Sequence, residues 1–434
     1  MRILQITPGT GGFHCGNCIR DNMLVHELRA LGHDAVMAPL YLPLITDEAI
    51  LTDGMPMFFG GVNVYLQQKF SLFRHTPRWI DRVFDAQWLL RGVAKKAGMT
   101  EAHELGEMTF SMIRGEHGNQ AKELRRMIDW LQAHEQPFDV VNLSNALLIG
   151  MARELRERLK IPVLCTLQGE DTFIDALGEP WTRRVWDELS VRAAEADGLV
   201  SISEYYAHAM RERLGEAVAE KIRVVHNGVA MHGHEPAAAP PDPPAIGYLA
   251  RFCEPKGIGM FVDAFIELKR DPAYDHVRMR AAGAMTPADE PLVAELKQKL
   301  ASNGLLEHAE FLPNVSRDEK MRFLQSISLL SVPALYGEAF GLYVIEALAS
   351  GAPVVQPKHA SFPELIAATD GGWIYGDLTA SGLAEAWKQA LSDPAELRRR
   401  GLAGREAALK KFSSAQMAQG VLETFNAAIE HYRR

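Results

Sequence analysis

The sequence predicts two doubly wound α/β domains, and three observations carry that expectation. The chain has 434 residues, beyond the roughly 250–300 at which a single hydrophobic core stops growing. Short apolar runs alternate with segments of helical periodicity, the pattern of parallel strands wrapped by helices. Residues 232–245 read HGHEPAAAPPDPPA, a stretch that fits neither a helix interior nor a central strand and so reads as a linker.

Taken in order, the opening run MRILQIT ends in Pro8-Gly9-Thr10-Gly11-Gly12 and is followed by helical spacing from Asn22 to Leu31. That is strand, Gly-rich loop, helix. Further strands are expected at Asp139–Leu143, Ile161–Leu167, Gly198–Ile202 and Ile222–Val225, with helices such as Met151–Leu159 and Trp181–Ala196 between them. A second series follows the Pro/Ala stretch, at Ala245–Ala250, Val277–Ala282, Ala309–Leu312, Ser328–Pro333 and Pro353–Gln356. The segment 44–134 fits neither series. It carries Phe58, Phe59, Tyr65, Phe70, Phe73, Trp79, Trp88 and Trp130 among charged residues, and reads as a helical insertion. The expected organisation is therefore an N-terminal domain over 1–232, a linker over 233–244, a C-terminal domain over 245–414, and a last helix over 415–434 that packs back on the N-terminal domain.

A formal charge of -9 argues against a nucleic acid partner, whose phosphates call for a basic surface. The longest apolar runs, such as Ile327–Leu335, fall short of the ~20 residues of a membrane span. Met1 leads straight into a strand-like run, and four cysteines without a leader segment read as reduced thiols, so a cytoplasmic location is expected.

The most informative stretch is YGEAFGLYVIEALASGAPVV, Tyr336–Val355, in which seven residues separate Glu338 from Glu346. A helix is expected to start near Phe340. Its first amides, from Phe340 through Gly341 and Leu342 to Tyr343, lack intrahelical partners and carry the positive end of the helix dipole, which suits a diphosphate. Read alone, Glu338 only complements that helix end and Glu346 is a solvated helix residue. The loop after Ala245–Ala250 adds two cations, Arg251 and Lys256, able to neutralise a diphosphate as a planar fork and a point charge. His226-Asn227-Gly228-Val229 and Phe311-Leu312-Pro313-Asn314-Val315 follow strands as ligand-lining loops do.

Together these pieces resemble GT-B glycosyltransferase family 4, which includes sucrose, trehalose and mannosyl transferases and is related to glycogen and starch synthases. The HNGV turn, the Arg-x4-Lys-Gly loop, the Glu-x7-Glu block and the ASGAPVV strand entry occur in the family's order. The resemblance implies two Rossmann-like domains facing across a cleft, and transfer of a sugar from a nucleotide diphosphate with retention of configuration. It implies Arg251 and Lys256 on the diphosphate, Glu338 on the sugar hydroxyls, Glu346 on the ribose and the amides of Phe340 to Leu342 on sugar and phosphate. Asn227 and Leu312 to Val315 would line the nucleotide, and Gly11 and Gly12 would let the first loop approach it. No metal cofactor is expected, since cations and helix amides supply the positive field and no Asp-x-Asp motif occurs. UDP is the base expected from its frequency in the family, and the acceptor is left open among small molecules, glycans and lipid-linked sugars.

Two departures stand out. Where relatives commonly place a His near the donor sugar, this chain has Gln168-Gly169-Glu170-Asp171. Gln168 could donate to the sugar and Glu170 or Asp171 could act on an acceptor hydroxyl, or Asp171 or Thr172 could cap a helix. The first loop carries Cys15 and Cys18 as Cys-x-x-Cys near a helix start, and Cys165 and Cys253 fall near predicted strand ends. Either the four cysteines, with His14 nearby, line one site that serves as a zinc centre, a redox switch or a soft pocket for an unusual acceptor, or they are packing and loop residues. The alternatives to a transferase are a catalytically reduced nucleotide-sugar- or metal-binding module built on that cysteine cluster, and a GT-B phosphorylase or epimerase.

Overall fold

The computed structural model describes residues 1–9, 16–41, 58–59, 61–70, 73–74, 102–133 and 136–434. The chain divides into two compact units, the first comprising Met1–His226 with Met417–Arg434, the second Asn227–Gln416. Each is an all-parallel six-stranded sheet with helices between its strands.

In the first unit the strands are β1 (Arg2–Thr7), β2 (Asp34–Pro39), β3 (Val140–Leu143), β4 (Val163–Leu167), β5 (Gly198–Ser201) and β6 (Ile222–Val224). They lie in the order β2-β1-β3-β4-β5-β6. The second unit holds β7 (Ala245–Leu249), β8 (Arg278–Gly283), β9 (Ala309–Pro313), β10 (Leu329–Leu330), β11 (Val354–Pro357) and β12 (Gly372–Tyr375). Their order is β12-β11-β10-β7-β8-β9. The strand order therefore reverses between β1 and β3 in one sheet and between β7 and β10 in the other. Right-handed crossovers put the helices before and after each reversal on opposite faces. The crevice at the carboxyl ends of the strands flanking such a reversal is where open α/β sheets bind ligands.

β10 is shorter than the Ser328–Pro333 run predicted for it, for a local reason. Leu330 N–H still reaches the Pro353 carbonyl at 2.9 Å and Ser331 N–H the Gly247 carbonyl at 2.8 Å. Beyond them Val332 N–H turns to the Gln356 side chain at 3.4 Å, and Pro333 has no N–H to give. The chain leaves the sheet there, and Leu335 N–H donates to the Pro255 carbonyl at 2.8 Å.

The division between units falls ahead of the expected linker, at His226/Asn227. Residues 227–235 are tied into the second unit: Val229 N–H donates to Phe412 O and Ser414 N–H to Val229 O, each at 2.9 Å, and His234 Nδ1 meets Ser350 Oγ at 2.9 Å. The helix Ser414–Arg433 belongs to the first unit from Met417 onward. In the insertion, Phe58 and Phe59 are buried, with Phe58 edge-on to Trp130 at 5.6 Å and Phe59 edge-on to Tyr41 at 6.1 Å, so these rings build core. Trp79 and Trp88 lie outside the described residues, as does the side chain of Tyr65. Among the described residues no helix is long and apolar enough to cross a membrane.

Candidate active site

In the second sheet the two loops flanking the reversal are the ones that carry the predicted cations and the first glutamate. The loop after β7 holds Arg251 and Lys256, and the loop after β10 holds Glu338. Tyr248, buried on β7, donates its hydroxyl to the carbonyls of Arg251 (3.0 Å) and Lys256 (3.3 Å), which fixes the first loop on its own strand. Gly257 then brings the two loops together. Its φ is +73°, and a Cβ there would sit 1.9 Å from the Pro333 carbonyl oxygen. Gly257→Ala should therefore cost about 1–3 kcal/mol of backbone strain, read as a lowered urea midpoint. An unchanged midpoint would show that the loops part without cost.

Across this junction Lys256 Nζ contacts Glu338 Oε2 at 2.5 Å. The same oxygen accepts from the hydroxyls of Tyr336 (3.0 Å) and Tyr343 (3.1 Å). Lys256 also lies over both rings, at 4.9 and 5.4 Å from their centroids, a cation–π arrangement. The Lys256 and Glu338 side chains are only 22% and 13% exposed, so water screens the pair less than it does a surface pair. Burial first, and then the Glu338 charge, push the Tyr343 phenol well above its ordinary value, so it remains a donor.

Arg251 is more exposed, at 52%, and is held by a carboxylate that the sequence did not single out. Its Nε and Nη2 reach Asp289 at 3.0–3.2 Å. Asp289 is steadied in turn by the Thr286 N–H (2.8 Å) and hydroxyl (2.6 Å). Burial pushes the Asp289 carboxyl up, but the Thr286 hydroxyl and Arg251 outweigh it and hold the group below the usual carboxylate range.

The helix after Glu338 starts later than expected. It runs Leu342–Ala349, with Gly341 at φ +84° before it. Phe340 lies ahead of that glycine, buried, and its carbonyl accepts from Ser361 Oγ at 2.8 Å. Of the amides expected from Phe340 to Tyr343, those of Leu342 and Tyr343 lie in the first turn of the helix. Glu346 lies in this helix, its Oε1 2.6 Å from Lys320 Nζ. Leu312 lies half-buried on the edge strand β9. Asn227 is buried beside a tight contact, since a Cβ on Gly228 would meet the Ser413 carbonyl at 2.3 Å.

Residues 59–232 match the profile described as Glycosyltransferase Family 4, and residues 233–407 that of Glycosyl transferases group 1. The chain belongs to the family 4 glycosyltransferases. The glycosyltransferase is 29% identical over 309 residues to a D-inositol 3-phosphate glycosyltransferase of Nocardia farcinica, spanning 67% of each chain. It is 25% identical to a glycogen synthase of Mycobacterium tuberculosis, over 67% of this chain and 69% of the relative. Its fold is shared with sucrose-phosphate synthase of Thermosynechococcus elongatus (TM-score 0.71, 17% identity, 99% of both chains). It is shared too with Anabaena Alr3699/HepE in complex with UDP (TM-score 0.69, 15% identity, 98% of this chain and 100% of that one).

In the glycosyltransferase's first unit, the segment after β4 is internally committed. Gln168 Nε2 donates to the Ser144 carbonyl at 2.5 Å. Glu170 is buried and accepts from Ala146 N–H and Gln168 N–H, both at 2.8 Å, and from the Tyr206 hydroxyl at 2.9 Å. Burial raises its carboxyl above the ordinary value despite these donors. Glu170 therefore latches the loops after β3 and β4 to the helix Glu204–Leu214, which corrects its reading as a group for an acceptor hydroxyl. Neither Asp171 nor Thr172 caps the following helix. Glu170 precedes it, and Thr172 donates back to the Gly169 carbonyl at 3.1 Å.

Of the two cysteines read at strand ends, Cys253 lies beyond the end of β7 and Cys165 lies inside its strand. Cys165 is the middle residue of β4 and fully buried, and burial, then the Glu170 charge, push its thiol well up. Cys18 is fully buried near Thr7, whose hydroxyl lies 3.9 Å from its sulfur. Cys253 is half-buried in the loop after β7. Among the described residues no group of three or more His, Cys, Asp or Glu is placed to hold a metal. Gly11, Gly12 and Cys15 lie outside the described residues.

Proposed function

We propose that this glycosyltransferase binds a nucleoside diphosphate sugar at the carboxyl edge of its second sheet and transfers the sugar with retention of configuration. The observation that carries the reading is the Lys256–Glu338 contact at the strand-order reversal, with Tyr336 and Tyr343 on the same carboxylate oxygen. Lys256 and Arg251 take the diphosphate, Glu338 the sugar hydroxyls and Glu346 the ribose. Leu312 and its neighbours lie along the base, and the free amides at the start of the helix Leu342–Ala349 face sugar and phosphate. The acceptor is assigned to the first unit.

In this reading the acceptor hydroxyl oxygen attacks the anomeric carbon on the face from which the diphosphate departs. The new C–O bond forms as the bond to the phosphate oxygen breaks, and the departing phosphate takes the hydroxyl proton. Stabilisation of charge on that leaving group is the protein's main task. UDP is the proposed nucleotide, supported by the fold neighbour HepE, solved with UDP and with UDP-glucose. Cys165 and Cys253, without a disulfide, suit a reducing compartment, in keeping with a cytoplasmic setting.

The test is a melting-temperature panel with UDP, GDP, ADP and their sugar conjugates, with and without chelator. Ligand at 100 times its Kd should add about 2.7 kcal/mol to stability. One nucleotide family should raise the melting temperature regardless of chelator. No shift with any of them, coupled with a fall on chelation, would overturn the reading in favour of a metal-binding module.

A further inference from the structure

The ribose carboxylate of the proposed donor site does not stand alone. Glu346 sits in the helix Leu342–Ala349 that leaves β10, and Lys320 in the helix Arg317–Gln325 that leads into β10. The second helix has a firmly set start. Ser316 Oγ accepts from Glu319 N–H at 3.3 Å and Glu319 Oε2 accepts from Ser316 N–H at 2.7 Å, a reciprocal cap that fixes which residue occupies the next turn. That placement carries Lys320 to Glu346, with Nζ on Oε1 at 2.6 Å.

The two side chains are 24% and 18% exposed, so this is a charge-assisted hydrogen bond with restricted access to water, stronger than an exposed pair. His234 lies near Glu346, but its Nδ1 meets Ser350 Oγ at 2.9 Å and burial lowers its pKa. Arg317, on the same helix as Lys320, donates to the His232 carbonyl at 2.9 Å. Lys320 is thus the cation in hydrogen-bond contact with Glu346.

We infer that Lys320 is a positioning residue for sugar-ring recognition in the nucleotide: it fixes the Glu346 carboxylate so that a ribose diol, and not a deoxyribose, satisfies it. The inference rests on the proposed placement of the ribose at Glu346. A carboxylate pinned through Oε1 presents its remaining lone pairs in one orientation. A nucleotide lacking the 2′-hydroxyl then leaves an acceptor unmet in a half-buried site, and a site built to hydrogen-bond a hydroxyl rejects analogues without it far more strongly than an apolar pocket does. Without Lys320 the carboxylate is free to rotate, and the preference fades.

The experiment is calorimetric titration of the full chain with UDP and with 2′-deoxy-UDP, run in parallel with the GDP and ADP pairs. The wild-type protein should prefer the ribonucleotide by about tenfold or more. Glu346→Gln should abolish that preference. Lys320→Met should cut it at least about fivefold while leaving 2′-deoxy-UDP affinity within about twofold, and Lys320→Arg should restore most of it. If Lys320→Met weakens both nucleotides equally, the lysine serves only as general positive charge toward the diphosphate and the inference is overturned. An unchanged ratio overturns it as well. If no nucleoside diphosphate binds the wild-type protein, the donor-site reading falls too, which separates that failure from a failure of Lys320 alone.

Discussion

Lys256→Met is expected to lower kcat by about 100- to 1,000-fold, the range seen when one preorganised donor is removed from a developing anion. The argument starts from where Lys256 is held. It reaches the reversal between β7 and β10 on a loop pinned by Tyr248 and joined to the next loop at Gly257. Its Nζ is then aimed by Glu338 and two tyrosine rings. A cation held in this way needs little reorganisation as charge builds on a leaving phosphate, so its loss should appear in kcat and kcat/KM together. The fold should survive, because Glu338 Oε2 keeps the Tyr336 and Tyr343 hydroxyls. The measurement is single-turnover donor cleavage by wild-type and variant with matched melting temperatures. A kcat within about threefold of wild type would remove Lys256 from the proposed chemistry. Arg251→Met should cost less, because that side chain is half-exposed and already engaged by Asp289.

The alternation of apolar runs and helical segments made most of the fold readable in advance, because strands buried on both faces leave short continuous apolar runs. The two strands missed, β2 and β12, are the outermost members of their sheets. DAVMAP begins with a charge and ends in proline, and GWIY is only four residues long, so neither stands out as a run. The residue types of the candidate site were legible because cations and carboxylates stand out in the loops that follow apolar strand runs. Their partners were not. Asp289 lies 38 residues from Arg251, and Lys320 lies 26 from Glu346, separations at which no period or spacing speaks. Asp289 left one faint trace, a carboxylate directly before the Glu290-Pro291 helix start. Glu170 shows the opposite error. A carboxylate after a strand looks chemical in sequence, and only its three internal donors reveal a latch.

Phe425→Ala is expected to destabilise the first unit by about 3–5 kcal/mol, the cost of truncating a buried aromatic ring. Phe425 is fully buried in a cluster with Ile3, Leu24, Leu28, Val140 and Leu164, residues of β1, β3, β4 and the helix Gly16–Ala30. Met417, Ala418, Val421, Leu422, Ala428 and Ile429 join the same cluster. Their spacing repeats by three and four, one apolar stripe along the last helix. The first sheet is therefore completed by residues that follow the whole second unit in the chain. It follows that the damage should be confined to one unit, even though the mutation lies near the end of the sequence. Two units need not unfold in one step, so the readout is hydrogen exchange resolved by segment under mild urea. Protection should fall across β1, β3 and β4 while β7, β8 and β11 keep theirs. Loss of protection in the second unit instead, or a change below about 1 kcal/mol in the first, would mean that the last helix is not a structural member of the first core.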